Sequence, residues 1–581
     1  MTGKGVRKRI QVVLMAGLAG GVAWGALDSV GVGRAAGLKG VDAPAVAASV
    51  DRSGTGGART AGEPGTAGQP VRGPADPEAG NRLLVVFKSG QVPAGLVDAL
   101  SAQPGVKVTP LPDIGAVAVK TATREGGDAV KRVLTARFGG DVDAVGADPI
   151  LTLNTELNRP VGETLPLSAV DLTSVQVPPV PGAAPGATSP AENVSPASAK
   201  LSPAVDKAAP PATGAGSAAT AVTTGSSVDV DRAVLYQQWG WDIQEVTENG
   251  KSFAVQPGNH RVKVAVIDSG IDSNHPDLRN NIVSPGRSFV PGDPSTADDF
   301  GHGTMVAGTI AADGLLLGVG PHLGIVPYRV FQHGDAQSSW VIQAIVQAVK
   351  DGADVINLSL GTYKSLKNPA DRADLLAYQK AVAYALVHGV TVVASSGTDG
   401  VDIGNPAQLA NQLGHPGDLE VHAPGGLPGV LTTAATNRQQ ARAYYSNYGR
   451  NVDLAAPGGD FGPLWDSEHI ADVRNMCLVT YPTNLPQTPL SRMAGLPKGY
   501  EWMIGTSLAA PKVAAAAALV IAQERDKRGV RGVLGPWTNP ANPVTVRNIL
   551  ERTAVDVGTP GRDPETGAGV VDAAKALQAV R

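Results

Sequence analysis

The segment Val264-Ala265-Val266-Ile267-Asp268-Ser269-Gly270 joins an apolar, mostly β-branched run to an acid and a glycine turn. A short apolar run that ends at such a turn is typical of a strand buried on both faces. Similar runs occupy residues 325–330, 354–359 and 390–394, and stretches of helical length, 337–350, 375–388 and 506–524, lie among them. This alternation predicts an α/β fold in which helices cover both faces of a parallel sheet.

Composition limits the function classes. The chain has 581 residues, enough for more than one folded unit, and its formal charge of −4 gives no reason to expect a nucleic-acid partner. The single cysteine, Cys477, excludes an intramolecular disulfide and a cysteine zinc cluster. We expect a buried apolar thiol here, with a catalytic thiol as the alternative.

The first 36 residues have the parts of an export signal. Lys4, Arg7, Lys8 and Arg9 precede an apolar run, 10–27, and small residues follow. We expect this signal peptide to be cleaved and the protein to be secreted. The alternative is an uncleaved membrane anchor, which would hold the protein at the cell surface.

Two stretches of biased composition divide the rest of the chain. Residues 37–80 are predicted to be disordered, and residues 155–227 to be a Pro/Ala-rich linker. Between them, residues 81–154 show the order β-α-β-β-α-β, with Ile150–Leu153 as the last strand. This order predicts a small α+β ferredoxin-like domain. The large α/β domain then occupies residues 228–581.

Three glycine-flanked motifs carry candidate chemistry. They contain Asp268 at a strand end, His302 in Gly301-His302-Gly303, and Ser507 in Gly505-Thr506-Ser507 at the start of a small-residue helix. Taken singly, each has an ordinary structural explanation: a turn-capping Asp, a surface His and an N-cap Ser. Pro511 is expected in the first turn of the serine helix, where no N–H is missed.

As a set, the three motifs point to nucleophilic catalysis. A serine hydroxyl needs a base, an imidazole can be that base, and a carboxylate fixes its tautomer. A helix N-terminus also offers backbone N–H groups to an oxyanion. The expected roles are nucleophile for Ser507, base for His302 and orienting acid for Asp268.

These motifs, in the order Asp, His, Ser, resemble the active-site signatures of the subtilase family. The resemblance implies a subtilisin-like serine endopeptidase that acts on peptide or protein substrates. It further implies that residues 81–154 are an inhibitory propeptide. Ser359-Leu360-Gly361 resembles the family's substrate-binding strand, and Ala394-Ser395-Ser396-Gly397 resembles the wall of its primary specificity pocket.

Within the family, several segments resemble lanthipeptide leader peptidases, among them Trp241-Asp242-Ile243, Tyr328–Phe331 and Ser339–Val341. Removal of a leader from a lanthipeptide precursor is therefore expected. A general secreted degradative protease is the alternative, and a peptide-binding pseudoprotease is a second one.

Two departures from the family pattern bear on mechanism. Thr398 stands where the family has its oxyanion asparagine, and Asn405 is a nearby substitute donor. The loop 312–318 is short and lacks the asparagine-bearing calcium loop, although Asp277 remains a candidate calcium ligand. We therefore expect no required cofactor and no confident metal site, with calcium left open.

Overall fold

The computed structural model describes residues 80–153, 156–172, 175, 177, 227–529 and 541–580. These residues belong to one compact unit, Ala67–Arg581. The predicted signal peptide or anchor lies outside the described residues. So do the predicted disordered stretch, apart from Gly80, and most of the predicted linker.

The small domain is an antiparallel sheet in the order β2-β3-β1-β4 with two helices. Its elements are β1 (Arg82–Phe87), α1 (Leu96–Ser101), β2 (Val106–Leu111), β3 (Ala116–Thr121), α2 (Arg124–Phe138) and β4 (Val142–Ala147). Leu83, Val85 and Phe87 pack against the two helices, whereas Leu84 and Val86 join the core of the large domain. Because both faces of β1 are buried, its residues after Arg82 form an unbroken apolar run.

The order β-α-β-β-α-β is as expected, but the predicted last strand is wrong. The fourth strand is β4, and it pairs with β1. Ile150–Thr152 instead form β5, which pairs antiparallel with β10 (Asp335–Gln337) of the large domain. Leu151 and Leu153 join the core of the large domain, whereas Ile150 is exposed. Local pattern cannot distinguish such burial against a second domain from burial within one.

The large domain carries the predicted parallel sheet. Its seven strands run in the order β16-β15-β13-β11-β7-β9-β8, and all neighbours are parallel. Their bounds are β7 (Lys263–Asp268), β8 (Arg287–Ser288), β9 (Gly324–Arg329), β11 (Val355–Leu358), β13 (Thr391–Ser395), β15 (Leu431–Thr436) and β16 (Leu454–Pro457). The Val264–Asp268 segment is thus a central strand of this sheet.

Helices and short two-stranded ribbons complete the fold. The remaining helices are α3 (Val161–Thr164), α4 (Val234–Trp239), α5 (Trp241–Thr247), α6 (Lys251–Val255), α7 (His302–Ala311), α8 (Ser338–Lys350), α9 (Pro369–Val387), α10 (Pro406–Gln412), α11 (Trp465–Glu468), α12 (Pro489–Met493), α13 (Thr506–Lys527), α14 (Pro543–Thr553) and α15 (Ala573–Ala579). The remaining strands are β6 (Val170–Asp171), β12 (Thr362–Ser365), β14 (Glu420–Ala423), β17 (Ala471–Asp472), β18 (Cys477–Thr480) and β19 (Tyr500–Met503). Cys477 is fully buried, as expected.

Helix α13 crosses the core of the large domain. Among the described residues it is the one helix long and apolar enough to cross a membrane, but 94% of its apolar window is buried inside the protein. Lys512, near its start, is 0% exposed and forms a 2.8 Å ion pair with Asp242 of α5. This pair joins the first helices of the large domain to the helix that carries Ser507.

Candidate active site

Asp268 and His302 form a buried pair. Asp268 is the last residue of β7, and His302 is the first of α7. The imidazole Nδ1 lies 2.8 Å and 3.0 Å from the two carboxylate oxygens, and the Asp268 carboxylate also accepts the Ser269 N–H at 2.7 Å. Since an ionised carboxylate only accepts, Nδ1 carries the proton and Nε2 keeps its lone pair. His302 is therefore set up as a proton acceptor.

Two glycines bring the histidine helix against the aspartate loop. Gly301 precedes α7 with a φ of 108°, a conformation that side-chain-bearing residues rarely adopt. A Cβ on Gly303 would lie 2.0 Å from the Gly270 carbonyl oxygen. The glycines beside His302 therefore permit the turn into α7 and the close packing of this helix on the aspartate loop.

Asp298 ties the same two segments together, and the sequence analysis missed it. It is 1% exposed, and it accepts the Ser269 hydroxyl at 2.9 Å, the Gly301 N–H at 2.7 Å and the Thr304 hydroxyl at 2.7 Å. Burial raises the pKa of its carboxyl. No local pattern marks this role, because the N-cap residue of α7 is Gly301 and Asp298 lies three residues before it.

Ser507 lies in the first turn of α13, and its backbone is held by the predicted substrate strand. Pro511 is the sixth residue of this helix, not part of its first turn, so that prediction is wrong. Having no N–H, Pro511 leaves the Ser507 carbonyl without its usual helical donor. The Ser359 hydroxyl donates to that carbonyl instead, at 2.8 Å. The proline therefore leaves the Ser507 carbonyl free to accept the hydrogen bond that joins the serine to the predicted substrate strand.

The Ser507 hydroxyl does not bond to His302 in this structure. It lies 3.4 Å from both the Asn158 side-chain oxygen and the Ser359 carbonyl. His302 Nε2 has no hydrogen-bond partner, and the residue is 0% exposed. The structure thus forms the Asp–His link but not the His–Ser link, and it shields the imidazole from solvent.

The residues that cover the serine belong to a segment we call the strap, residues 156–172. A Cβ on Gly505 would lie 3.2 Å from the Leu157 carbonyl oxygen, and a Cβ on Gly162 would lie 2.3 Å from Thr488 Oγ1. The Tyr481 hydroxyl donates to Glu163 at 3.3 Å. Farther on, β6 pairs with β17. This part of the predicted linker is therefore packed against the large domain.

The small domain docks on helices α8 and α9. Asp148 accepts the Ser339 backbone N–H at 2.8 Å and its hydroxyl at 2.5 Å, at the start of α8. Burial raises the pKa of Asp148 to about 6. Two ion pairs at the interface join the small domain to these helices, Asp113 to Lys350 and Asp143 to Arg372. The β5–β10 ribbon then continues the docked chain toward Ser507.

The two predicted substrate segments follow neighbouring strands. Ser359, Leu360 and Gly361 follow β11, and Ala394 and Ser395 end β13, with Ser396 and Gly397 directly after. The strands pair in parallel with Leu358 opposite Ala394. Both segments are therefore at the same edge of the sheet as Asp268 and Ser507, where α/β proteins bind ligands.

Thr398 follows this wall and is half-buried. Its loop is held by Asn447, which accepts the Asp399 and Val401 N–H groups at 3.0 Å and 3.1 Å and donates to the Ser396 carbonyl at 2.9 Å. Asn405, the suggested substitute donor, caps α10 by accepting the Gln408 N–H at 3.3 Å. Asn447 was not identified from the sequence, since a lone asparagine has no local signature.

Asp277 is occupied by backbone groups. Its two oxygens accept the N–H groups of Leu315 and Leu316 at 3.1 Å and 2.9 Å, which closes the short 312–318 loop. Within the described ranges, no group of three or more His, Cys, Asp or Glu side chains could hold a metal ion.

The fold and these residues define an α/β protein whose candidate site has the composition of a serine hydrolase. The chain belongs to the subtilase family, because the model of that family matches residues 259–569. The predicted resemblance is confirmed, and so is the predicted subtilisin-like sheet.

The relatives include leader-processing proteases. Over 304 residues the chain is 34% identical to the epidermin leader peptide-processing serine protease EpiP of Staphylococcus epidermidis, covering 48% of this chain and 64% of that protein. Over 326 residues it is 31% identical to the nisin leader peptide-processing serine protease NisP of Lactococcus lactis subsp. lactis, covering 51% of this chain and 45% of that protein. The chain thus spans less than two thirds of the length of either relative.

A solved lanthipeptide protease has the same fold. It is 34% identical, and the match covers 61% of this chain and 99% of that one with a TM-score of 0.54.

Proposed function

We propose that this protein is a serine endopeptidase that hydrolyses peptide bonds through an acyl-enzyme. The observation that carries the proposal is the buried Asp268–His302 pair beside a serine whose backbone is tied to the substrate strand. Membership of the subtilase family supports the same reaction.

The proposed roles are those of a serine endopeptidase. Ser507 Oγ attacks the substrate carbonyl while its proton passes to His302 Nε2, and Asp268 stabilises the imidazolium. The C–N bond then breaks, and the leaving amine takes that proton. Water, deprotonated by His302, hydrolyses the acyl-enzyme. The backbone N–H of Ser507, at the positive end of α13, supplies one oxyanion donor.

The precursor is proposed to be inhibited by its own chain. The small domain docks on α8 and α9, Asn158 of the strap contacts the Ser507 hydroxyl, and His302 is fully buried. Activation therefore requires that both the domain and the strap leave. The N-terminal apolar segment supports secretion, with cell-surface anchoring as the alternative.

The proposed substrate is a lanthipeptide precursor, from which the enzyme removes the leader. The similarity to EpiP and NisP, which process the leader peptides of epidermin and nisin, supports this choice. The competing function, general degradation, is favoured by matches to proteases whose names mention no leader peptide, such as an alkaline protease. Slow hydrolysis of casein with fast cleavage of one lanthipeptide precursor is expected, and rapid indiscriminate casein digestion would instead support the degradative role.

The activity is tested with a fluorophosphonate, which labels only an activated serine. The mature enzyme should be labelled, and Ser507→Ala should abolish labelling and lower the cleavage rate by about 10⁴–10⁶. Ser295→Ala, at an exposed loop serine, is the control and should retain both. A folded wild-type protein that binds peptides without labelling would instead be a pseudoprotease.

A further inference from the structure

The chain crosses Ser507 from one side of the site to the other. Before the crossing, β5 pairs with β10, and the Leu153 N–H donates to the Gly334 carbonyl at 2.7 Å. At the crossing, the side-chain oxygen of Asn158 lies 3.4 Å from the Ser507 hydroxyl. After it, the strap contacts α12, β19 and β17. A peptide that lies in the site in the same direction therefore places the residues after its cut where the strap lies.

Helix α3 of the strap packs closely on this face. Val161 is 2% exposed and shares an apolar core with Leu490 of α12. The next residue is Gly162, where a Cβ would lie 2.3 Å from Thr488 Oγ1 and 2.7 Å from the Leu490 Cβ. The face thus takes an aliphatic side chain and leaves no space for a side chain on the residue that follows it.

The part of the face under Gly162 is held in place by Glu501 of β19. This carboxylate is 0% exposed, and it accepts the Thr488 backbone N–H at 2.8 Å and the Thr488 hydroxyl at 2.7 Å. Thr488 also caps α12 by accepting the Ser491 N–H at 3.2 Å. None of these bonds involves the strap, so the face keeps its shape when the strap leaves.

The far end of the strap adds a strand to the large domain. Val170 and Asp171 of β6 pair in parallel with β17. Among the described strands, β6 is the only partner of β17, so departure of the strap leaves the backbone of β17 as an open edge. Val170 is 8% exposed and packs in the same apolar core as Val161. An open edge beside an apolar site can capture an extended peptide by β-augmentation.

We propose that the face under the strap, formed by α12, Tyr481 and the edge of β17, is an exosite for the segment of the substrate that follows the cut. The proposal rests on the proposed peptidase function. The preferred segment has an aliphatic residue followed by glycine, and eight residues after the glycine an apolar residue in an extended stretch that pairs with β17. Glu163 accepts the Tyr481 hydroxyl at 3.3 Å, which adds a preference for an acid directly after the glycine.

The first test measures binding. A fluorescent peptide with the sequence of residues 160–172 is titrated into mature enzyme whose serine has been blocked with the fluorophosphonate, and its anisotropy is recorded. The peptide should bind. Gly162→Ala in the peptide should weaken binding about tenfold or more, because the added Cβ has no space. Ser168→Ala, at an exposed position of the strap, is the matched control and should leave binding unchanged.

The second test measures cleavage by the unblocked mature enzyme. Two peptides carry the chain's own sequence, residues 148–172 and residues 148–160, and both span the crossing at Ser507. The longer peptide should be cleaved with a kcat/KM about tenfold or more above that of the shorter one, mainly through a lower KM, since binding to a remote face is made equally in the ground state and the transition state. Mass spectrometry of the products verifies that both are cut at the same bond.

Absent binding, or binding that Gly162→Ala leaves intact, would overturn the proposal. So would equal cleavage of the two peptides, or cleavage of neither by an enzyme that the fluorophosphonate labels, because the face would then serve the strap alone. An active mature enzyme that retains residues 161–172 on this face would also contradict it. An enzyme that the fluorophosphonate does not label fails the proposed function instead, so the two failures are distinguishable.

Discussion

Gly146 offers a direct test of propeptide docking. It lies on β4, and a Cβ built there would be 2.1 Å from the Ala370 carbonyl oxygen at the start of α9. Ordinary carbon–oxygen contact is about 1 Å longer, so Gly146→Ala forces the small domain away from the helix. Overpacking of this kind costs about 1–3 kcal/mol. That cost corresponds to a docking equilibrium weaker by roughly 5- to 150-fold.

The assay is the time course of peptidase activity after the precursor is made, with a fluorogenic peptide as substrate. The lag before full activity reports release of the small domain, and Gly146→Ala should shorten it. The matched control is Gly140→Ala, since a Cβ at Gly140 has nothing within 4 Å. Equal lags for wild type and Gly146→Ala would refute docking of β4 on α9. Yield of folded enzyme must be measured alongside, because a weakened domain could also assist folding less well.

Further predictions concern turnover, pH, metal and maturation. Thr398→Asn should raise kcat by up to about 10²–10³ with little change in KM, since an oxyanion donor is worth that much; a rate no higher than wild type would mean that position 398 is not at the oxyanion. The pKa of Asp148 is about 6 in the docked domain and roughly 3.9 in an exposed carboxyl. The docked form therefore binds more protons between these values. Docking should weaken as pH rises from about 4 to 6, by up to roughly 3 kcal/mol. Release rates measured across that range should rise for wild type and stay flat for Asp148→Asn. Chelation with EDTA should leave activity unchanged, and a fall restored by calcium would reveal a metal site. N-terminal sequencing of the secreted enzyme should place its first residue between about 155 and 235, and an active enzyme that keeps residue 82 would contradict this.

Strands that are buried on both faces could be predicted from the sequence. The strand predicted from the apolar run Val264–Ile267 lies within β7, Lys263–Asp268, because a strand buried on both faces is apolar nearly throughout. β4 was missed because an aspartate and a glycine interrupt the apolar residues of Val142-Asp-Ala-Val-Gly-Ala. Gly146 is required by the close approach of α9 of the other domain. The residue pattern of β4 is therefore explained only when the small domain is docked on α9.

Some residues of the candidate site could be predicted from local sequence, and others could not. Asp268, His302 and Ser507 lie in motifs whose glycines and helix start are visible locally. Asn158 and Asn447 reach the site only through tertiary contacts, across sequence separations that local pattern does not record. Their roles depend on which chain segments become neighbours, and that requires the fold.

The Asp242–Lys512 ion pair limits how much of the N-terminal chain a maturation cut can remove. Lys512 is fully enclosed, and Asp242 is its one ion-pair partner among the described residues. Removing one partner of a buried pair typically costs about 3–5 kcal/mol, a large share of a domain's stability. A processing cut placed beyond residue 242 would leave this ammonium group without its counter-charge inside the helix that presents the nucleophile. A cut that removes the proposed inhibitor is therefore expected upstream of residue 242, and a cut beyond it is expected to destabilise the helix that carries Ser507.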